Sequence, residues 1–311
     1  MVTGSNSMKK CLILLLILAL FTGCSPKEPP AQIAATTLPV YEFTAALCEG
    51  TPLTVTRLVT EEVSCLHDYS LNVRQVKAAE AAEIIVVSGA GLEAFMDDLL
   101  LNKTAIDASQ GIHLLAPEEH HHHHGEQEES PESHHVEEES HSGHHHEEDP
   151  HIWLSPVRAA EMSENICAGL SLQYPEYQDI FETNLTSLRS SLEALQHYGE
   201  NTLSGLSCRD LITFHDGFAY LADAFGLTIL DAIEEESGSE ASAKELIHMI
   251  EEVEHHQLPA IFTEKSGSVS AAGIISRETG AKSFALDMAM TGKSYFDAMY
   301  HNIDTLKEAL Q

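Results

Sequence analysis

The stretch of sequence that decides the fold class reads Glu83-Ile84-Ile85-Val86-Val87-Ser88-Gly89-Ala90-Gly91. Its apolar centre has the length and the β-branched composition of a buried strand, and the glycines that follow it signal a turn. Helical patterns flank this stretch on both sides, over 70–82 and 92–101. A buried strand between two helices is typical of an α/β protein, in which helices cover a parallel sheet.

The same alternation of strands and helices continues through both halves of the chain. Strands are predicted over 33–36, 53–58, 104–107 and 112–115 in the first half, and over 210–214, 227–231, 259–262 and 282–286 in the second. Ser155-Pro156 is a helix start, and the helix that it opens bends near Pro175 as it connects the halves. Ser242-Ala243-Lys244-Glu245 has the pattern of a capping box. The sequence therefore predicts two parallel-sheet α/β lobes joined by a long, rigid backbone helix.

Composition divides the chain into six segments. A signal peptide with a lipobox (1–24) and a tether (25–30) precede an N-terminal lobe (31–116), a His- and Glu-rich loop (117–149), the end of that lobe with the connecting helix (150–200), and a C-terminal lobe (201–311). The loop has almost no apolar residues, so it cannot bury a core and we expect it to be disordered. Its eleven histidines are candidate accessory zinc ligands: His120, His121, His122, His123, His124, His134, His135, His141, His144, His145 and His146.

The N-terminal residues predict export. Met8-Lys9-Lys10 precedes an apolar run over 11–21, which is too short to span a bilayer (roughly 20 residues) but suits the core of a signal peptide. Phe21-Thr22-Gly23-Cys24 is similar to a bacterial lipobox, whose cysteine carries lipid after cleavage. We therefore expect an exported lipoprotein anchored through Cys24 to the outer face of the cytoplasmic membrane, which faces the periplasm if the source is Gram-negative. The alternative is a plain signal peptide in which Cys24 is incidental.

Net charge limits the possible binding partners, and cysteine content limits the possible disulfide bonds. The net charge of −33 argues against a nucleic-acid partner, whose phosphates require a basic surface. Cys48, Cys65, Cys167 and Cys208 remain after processing, in a compartment that permits disulfides. Four cysteines allow three pairings, and the sequence does not choose among them.

Three histidines and one aspartate stand at predicted junctions between strands and helices. His67 precedes the helix near Ser70, His151 precedes the Ser155 helix start, and His215 and Asp287 each follow a strand. Side chains at the carboxyl ends of parallel strands can converge in one crevice, however distant they are in sequence. Three imidazoles with one carboxylate form a ligand set that suits Zn²⁺.

Several motifs carry a resemblance to a known family. The segments 64–71, 149–154 and 214–216, together with Gly89-Ala90-Gly91-Leu92-Glu93 and Glu278-Thr279-Gly280-Ala281-Lys282, resemble the metal-binding solute-binding proteins of ABC transporters. More narrowly, they resemble the ZnuA-type zinc-uptake branch, whose members have the TroA-like, cluster A-I fold. The resemblance covers about 31–116 and 147–311.

The resemblance implies a function and a ligand set. It implies a monomeric extracytoplasmic receptor, not an enzyme, that delivers zinc to a permease and an ATPase on separate chains. The family ligands fall on His67, His151, His215 and Asp287, of which the fourth position varies within the family. A His-rich loop is typical of zinc members, and here it would act as an accessory zinc collector or sensor.

Other functions remain open from the sequence. Manganese receptors of the same family usually replace the third histidine with a carboxylate, whereas His215 is retained here. A zinc hydrolase would need an open metal position to activate water, and Asp287 would fill that position. An adhesin lipoprotein is the third alternative.

Overall fold

A computed structural model describes residues 31–63, 66, 69–115, 149–232, 241–265 and 269–311. Residues Ala31–Gln311 belong to one compact unit. The described residues contain eight strands: β1 (Ile33–Ala35), β2 (Val55–Arg57), β3 (Ile84–Val87), β4 (Thr104–Asp107), β5 (Asp210–Thr213), β6 (Thr228–Ala232), β7 (Ala260–Glu264) and β8 (Lys282–Leu286). The helices that cover them are built from the segments between the strands.

The strands form two parallel sheets with the same topology. The first has the order β2-β1-β3-β4 and the second the order β6-β5-β7-β8. Register is regular in the first sheet, where Ile33 lies opposite both Val55 and Ile84, and a bulge interrupts the pairing of β5 with β6 between Leu211 and Ile212. All four residues of β3 are buried, as expected for a strand covered by helices on both faces. The predicted α/β fold class is confirmed.

The helices of the described residues follow the predicted alternation. They are α1 (Leu38–Leu47), α2 (Val73–Ala81), α3 (Asp97–Leu100), α4 (Pro156–Gln173), α5 (Gln178–Leu203), α6 (Ala219–Phe225), α7 (Ala243–His256), α8 (Ser270–Thr279) and α9 (Tyr295–Leu310), with 3₁₀ turns at Ala94–Met96, Ile152–Leu154 and Pro175–Tyr177. None of these helices has both the length and the apolar character needed to cross a membrane.

Local capping chemistry sets where several helices begin and end. Ser242 and Glu245 form the predicted capping box at the start of α7, and the Ser155 side chain caps α4 ahead of Pro156. Gly226 ends α6 in the left-handed conformation, at φ +65°, which a residue without a Cβ adopts at little cost.

The predicted connecting helix is two helices, divided at Pro175. α4 ends before Pro175, a 3₁₀ turn follows, and α5 packs back along α4, so that Arg189 Nη1 lies 3.0 Å from Glu164 Oε1. The chain therefore reverses where the sequence predicted only a bend.

α5 packs against α1 from the first half and α9 from the second half. One apolar core cluster includes Phe43, Trp153 and Phe262 and therefore reaches from one sheet to the other. This shared core makes the two halves a firmly joined pair.

Two local predictions were wrong. Residues 112–115 do not form a strand, because their backbone groups bind elsewhere. The Leu115 amide donates to the Tyr220 hydroxyl at 2.9 Å, and the Leu115 carbonyl accepts from the Asp149 amide at 3.2 Å. The helix predicted over 92–101 is reduced to a 3₁₀ turn and the single turn α3.

Candidate metal centre

His151 lies at the start of the segment that leads into α4. Asp149 and Pro150 precede it, and the 3₁₀ turn Ile152–Leu154 and the Ser155 cap follow it. The histidine is almost fully buried, with 2% of its surface exposed. A buried imidazole needs a partner for each ring nitrogen, since an unsatisfied polar atom in the interior is costly.

Asp149 provides the partner for one nitrogen of His151. Its Oδ1 lies 2.7 Å from His151 Nδ1 and also accepts a 2.9 Å hydrogen bond from the His151 backbone amide. The Tyr220 hydroxyl donates to the main-chain carbonyl of Asp149 at 3.1 Å and so holds the backbone of this residue. With Nδ1 directed at a carboxylate, Nε2 is the nitrogen left to bind a ligand, an arrangement common behind zinc-binding histidines.

His215 has a similar arrangement in the second half. It follows β5, and its Nδ1 lies 3.5 Å from Oε1 of Glu264, the buried last residue of β7. β5 and β7 are adjacent although β6 lies between them in sequence, so His215 and Glu264 mark the point where the strand order reverses. Ligands of open parallel sheets bind beyond the carboxyl ends of strands at such points.

The two histidines face one another. Their ring centroids are 5.4 Å apart and the ring planes are at 85°. Gly217 makes room for this arrangement, because a Cβ there would lie 2.7 Å from His215 Cδ2 and 2.7 Å from Met288 Cε. The structure therefore brings together one predicted ligand from each half, each with a buried carboxylate behind it.

Asp287 follows β8 and is held by its backbone. Its amide donates to Asn302 Oδ1 at 2.8 Å and its carbonyl accepts from Asn302 Nδ2 at 2.7 Å. Its carboxylate accepts from the Ala289 amide at 2.9 Å and lies 3.1 Å from Lys265 Nζ. Within the described ranges, His151, His215 and Asp287 are not grouped by ligand atoms that all lie within 4.8 Å of one another.

Several predicted site residues fall outside the described residues. They are His67, the eleven histidines from His120 to His146, and the lipidation candidate Cys24. Among the other cysteines, Cys48, Cys167 and Cys208 are free thiols, while Cys65 is also outside the described residues. Burial raises the pKa of the Cys48 thiol to about 12, which keeps it protonated and unreactive.

Sequence reasoning missed the two supporting carboxylates. Asp149 stands two residues before His151 and is the last residue of the predicted His- and Glu-rich loop. Glu264 is not among the sequence candidates, although it stands at the carboxyl end of a strand like several of them. Applying the strand-end rule to every strand would have found Glu264.

The described part of the site suits a borderline divalent cation. Two imidazoles, each with a carboxylate near Nδ1, present nitrogen donors of the kind that Zn²⁺ prefers. The near-complete burial of His151 excludes most of the water that would compete for the cation. The arrangement can hold a metal ion between the two halves.

Comparison with known proteins gives consistent matches. The model of the family described as ZnuA, zinc-uptake complex component A, periplasmic, matches residues 33–309. The zinc-binding lipoprotein AdcA of Streptococcus pneumoniae is 31% identical over 318 residues, covering 97% of this chain and 61% of the relative. The chain thus spans about three fifths of the length of that curated relative.

Solved structures agree with the family match. A crystal structure of ZnuA has a TM-score of 0.72 at 26% identity, covering 90% of this chain and all of that one. The Zn(II)-bound ZnuA-like domain of Streptococcus pneumoniae AdcA has a TM-score of 0.71 at 26% identity, covering 90% of this chain and 98% of that one.

Proposed function

Because the chain belongs to the ZnuA family of zinc-uptake components, we propose that it captures Zn²⁺ outside the cytoplasmic membrane and delivers it to an ABC permease. The permease and its ATPase would be separate chains. The observation that carries this proposal is the facing pair His151 and His215, whose ring centroids are 5.4 Å apart. Asp149 lies 2.7 Å from Nδ1 of His151, which directs Nε2 of that ring to the cation, and Glu264 lies 3.5 Å from Nδ1 of His215.

The proposed ligand set is His67, His151, His215 and Asp287. His151 comes from the first half, whereas His215 follows β5 and Asp287 follows β8 of the second sheet, with β7 between these two strands. Three nitrogen donors and one carboxylate oxygen would complete a tetrahedral shell for Zn²⁺. The zinc is cargo, so the site must bind the ion tightly and also release it.

The apolar core that the two halves share supports zinc release by local movement. Tyr295 donates from its hydroxyl to the Trp153 carbonyl at 2.7 Å, and the Leu38 amide donates to the Met290 carbonyl at 2.9 Å. These buried bonds cross between the halves, and wide hinge closure would break them. We therefore infer that zinc leaves through small shifts of the ligand-bearing loops.

The location and the accessory loop complete the proposal. A lipid on Cys24 would anchor the receptor outside the membrane, and the relative AdcA is named a lipoprotein. The histidines between His120 and His146 would act as an accessory collector that binds zinc weakly and raises its concentration near the buried site.

Trp153 provides a direct test of zinc capture. It is the only tryptophan of the chain, and its ring lies 5.5 Å from that of His151. Zinc titrated into the full chain should therefore change Trp153 fluorescence with one tight transition, whatever the His-rich loop binds. We expect His151→Ala and His215→Ala each to weaken that transition by at least about 100-fold, since even outer-shell partners can cost that much.

The matched control is His197→Ala. His197 is exposed and paired with Glu200 on α5, so its removal should leave the tight transition unchanged. Tight binding that survives both His151→Ala and His215→Ala would refute the proposed site. Metal analysis of each purified protein would show whether the bound ion is zinc or manganese.

A further inference from the structure

A second cluster of metal-binding side chains lies in the last turn of α7. It consists of Glu252, His255 and His256, which offer one ligand atom each, all within 4.8 Å of one another. The spacing i, i+3, i+4 places the three side chains on one face of the helix. No other group of three such residues within the described ranges meets the same distance limit.

The distances in this cluster fit a tetrahedral metal ion. His256 Nε2 lies 3.5 Å from Glu252 Oε2, close to the edge of about 3.4 Å that zinc–ligand bonds of about 2.1 Å imply. The rings of His255 and His256 have centroids 4.6 Å apart. Both histidines are exposed, so small side-chain rotations can bring all three ligand atoms to one ion.

The surrounding charge favours a cation. The cluster stands at the C-terminus of α7, where the helix dipole presents its negative end. Glu251 and Glu254 add nearby carboxylates, and the sequence has no Lys or Arg between Glu245 and Glu264.

Chain direction separates this cluster from the candidate metal centre. α7 connects the end of β6 to the start of β7. Its C-terminus therefore lies at the amino edge of the second sheet, whereas His215 and Glu264 lie at the carboxyl edge. The two sites share no residue.

We propose that Glu252, His255 and His256 form a second zinc site on the surface of the second half. Water completes the coordination shell, so the ion is exposed and exchanges readily, and binding is weaker than at a buried four-ligand site. Two imidazoles and a carboxylate also accept Ni²⁺ and Cu²⁺, in the order of the general affinity series. The proposal does not depend on the transport function.

Histidine footprinting on the full chain tests the proposal. Diethyl pyrocarbonate acylates free imidazole nitrogens, and peptide mass spectrometry reports each histidine separately from the His-rich loop. Free zinc is fixed by a chelating buffer. We expect zinc to protect His255 and His256 from acylation together. The free zinc concentration required should be at least about tenfold below that needed to protect His197, because His197 has one carboxylate neighbour and no second imidazole.

Two variants of the same helix sharpen the test. Glu252→Gln removes the carboxylate ligand and should raise the zinc concentration for protection by about tenfold or more. Glu251→Gln removes an exposed charge one residue away and should change that zinc concentration by less than about twofold. The proposal is overturned if His255 and His256 follow the same zinc dependence as His197, or if both variants behave alike. Unchanged Trp153 fluorescence would show that each variant is folded.

Discussion

The indole Nε1 of Trp153 donates a hydrogen bond of 2.8 Å to the main-chain oxygen of Met288, 135 residues away in sequence. Trp153 follows His151 by two residues, and Met288 directly follows Asp287. The side chains of Trp153 and Met288 are both buried, and that of Trp153 is fully inaccessible to solvent. The bond therefore fixes the distance between the segments that carry proposed ligands from the two halves.

Trp153→Phe should destabilise the fold and loosen the metal centre. The change leaves the Met288 carbonyl without its donor and opens a cavity in the shared core. We expect a loss of about 2–4 kcal/mol in the free energy of unfolding, measured by urea denaturation with circular dichroism, since the variant has no tryptophan. Zinc affinity, measured by calorimetry, should fall as well.

Tyr198→Phe is the control for this prediction. Its hydroxyl donates to Asp304 at 2.6 Å on the surface, and losing an exposed bond of this kind should cost less than about 1 kcal/mol. A Trp153→Phe protein as stable as Tyr198→Phe would show that the bond to Met288 does not hold the halves together.

Asp149→Asn should weaken zinc binding without unfolding the protein. Asparagine can still accept from the His151 amide, but it lacks the charge that makes the imidazole a stronger zinc ligand. Loss of such a supporting carboxylate typically costs 10–100-fold in affinity, so we expect a decrease of about that size in a Trp153 fluorescence titration.

The exposed pair His197 and Glu200, with Nδ1 3.1 Å from the carboxylate, offers a control of similar chemistry. Glu200→Gln should leave the zinc titration unchanged. Equal zinc affinity in Asp149→Asn and the unmodified protein would mean that the carboxylate only positions the backbone of the loop.

Glu93 should make stability depend on pH. Burial raises the pKa of its carboxyl above the usual 4.5, although bonds from Thr36, Ser88 and Gly89 partly offset this. A raised folded-state pKa contributes stability that is fully present below pH 4.5 and is lost as pH rises through the folded value. Compared with Glu93→Gln, which cannot titrate, the unmodified protein should therefore lose relative stability in urea denaturation as the pH rises above 4.5.

Glu61 should contribute a pH dependence of stability opposite to that of Glu93. The hydrogen bond from its own backbone amide, together with those from Tyr69 and other neighbours, lowers the pKa of this exposed carboxyl. Its contribution is present above pH 4.5 and is lost as pH falls through the lowered value. If the stabilities of Glu93→Gln and the unmodified protein changed with pH in parallel, Glu93 would not be the source of the dependence.

Most of the fold could be predicted because local signals agree with tertiary structure. The buried run Ile84–Val87 is a strand, and Ser155 and Ser242 cap helices, as expected. Pro175 marks the interruption of the connecting helix, although the chain reverses there instead of bending. The family resemblance inferred from short motifs is confirmed by the family match. These features depend on residues close together in sequence.

What could not be predicted depends on distant partners. Residues 112–115 have the apolar composition of a strand, but Leu115 binds Tyr220 and Asp149 instead of a neighbouring strand. The contact between Glu264 and His215 joins residues 49 positions apart, and no local pattern records it. The identity of the metal ligands stays a prediction, since His67 lies outside the described residues.

Lys265→Met should tighten zinc binding. Lys265 Nζ lies 3.1 Å from Asp287 Oδ2, so a cation that uses this carboxylate must displace the ammonium group. The lysine side chain is largely exposed, and such pairs contribute about 0.2–1 kcal/mol. Removing it should therefore increase zinc affinity by about 1.4- to fivefold, measured through Trp153 fluorescence at fixed ionic strength.

A double-mutant cycle with Asp287→Ala decides whether Asp287 binds the ion. If it does, Lys265→Met has a much smaller effect once Asp287 is alanine, because the competition no longer exists. Lys282→Met removes an exposed charge at the opposite end of β8 and measures the long-range effect of charge alone. Equal gains from Lys265→Met with and without Asp287, matched by Lys282→Met, would assign the gain to net charge and remove Asp287 from the ligand set.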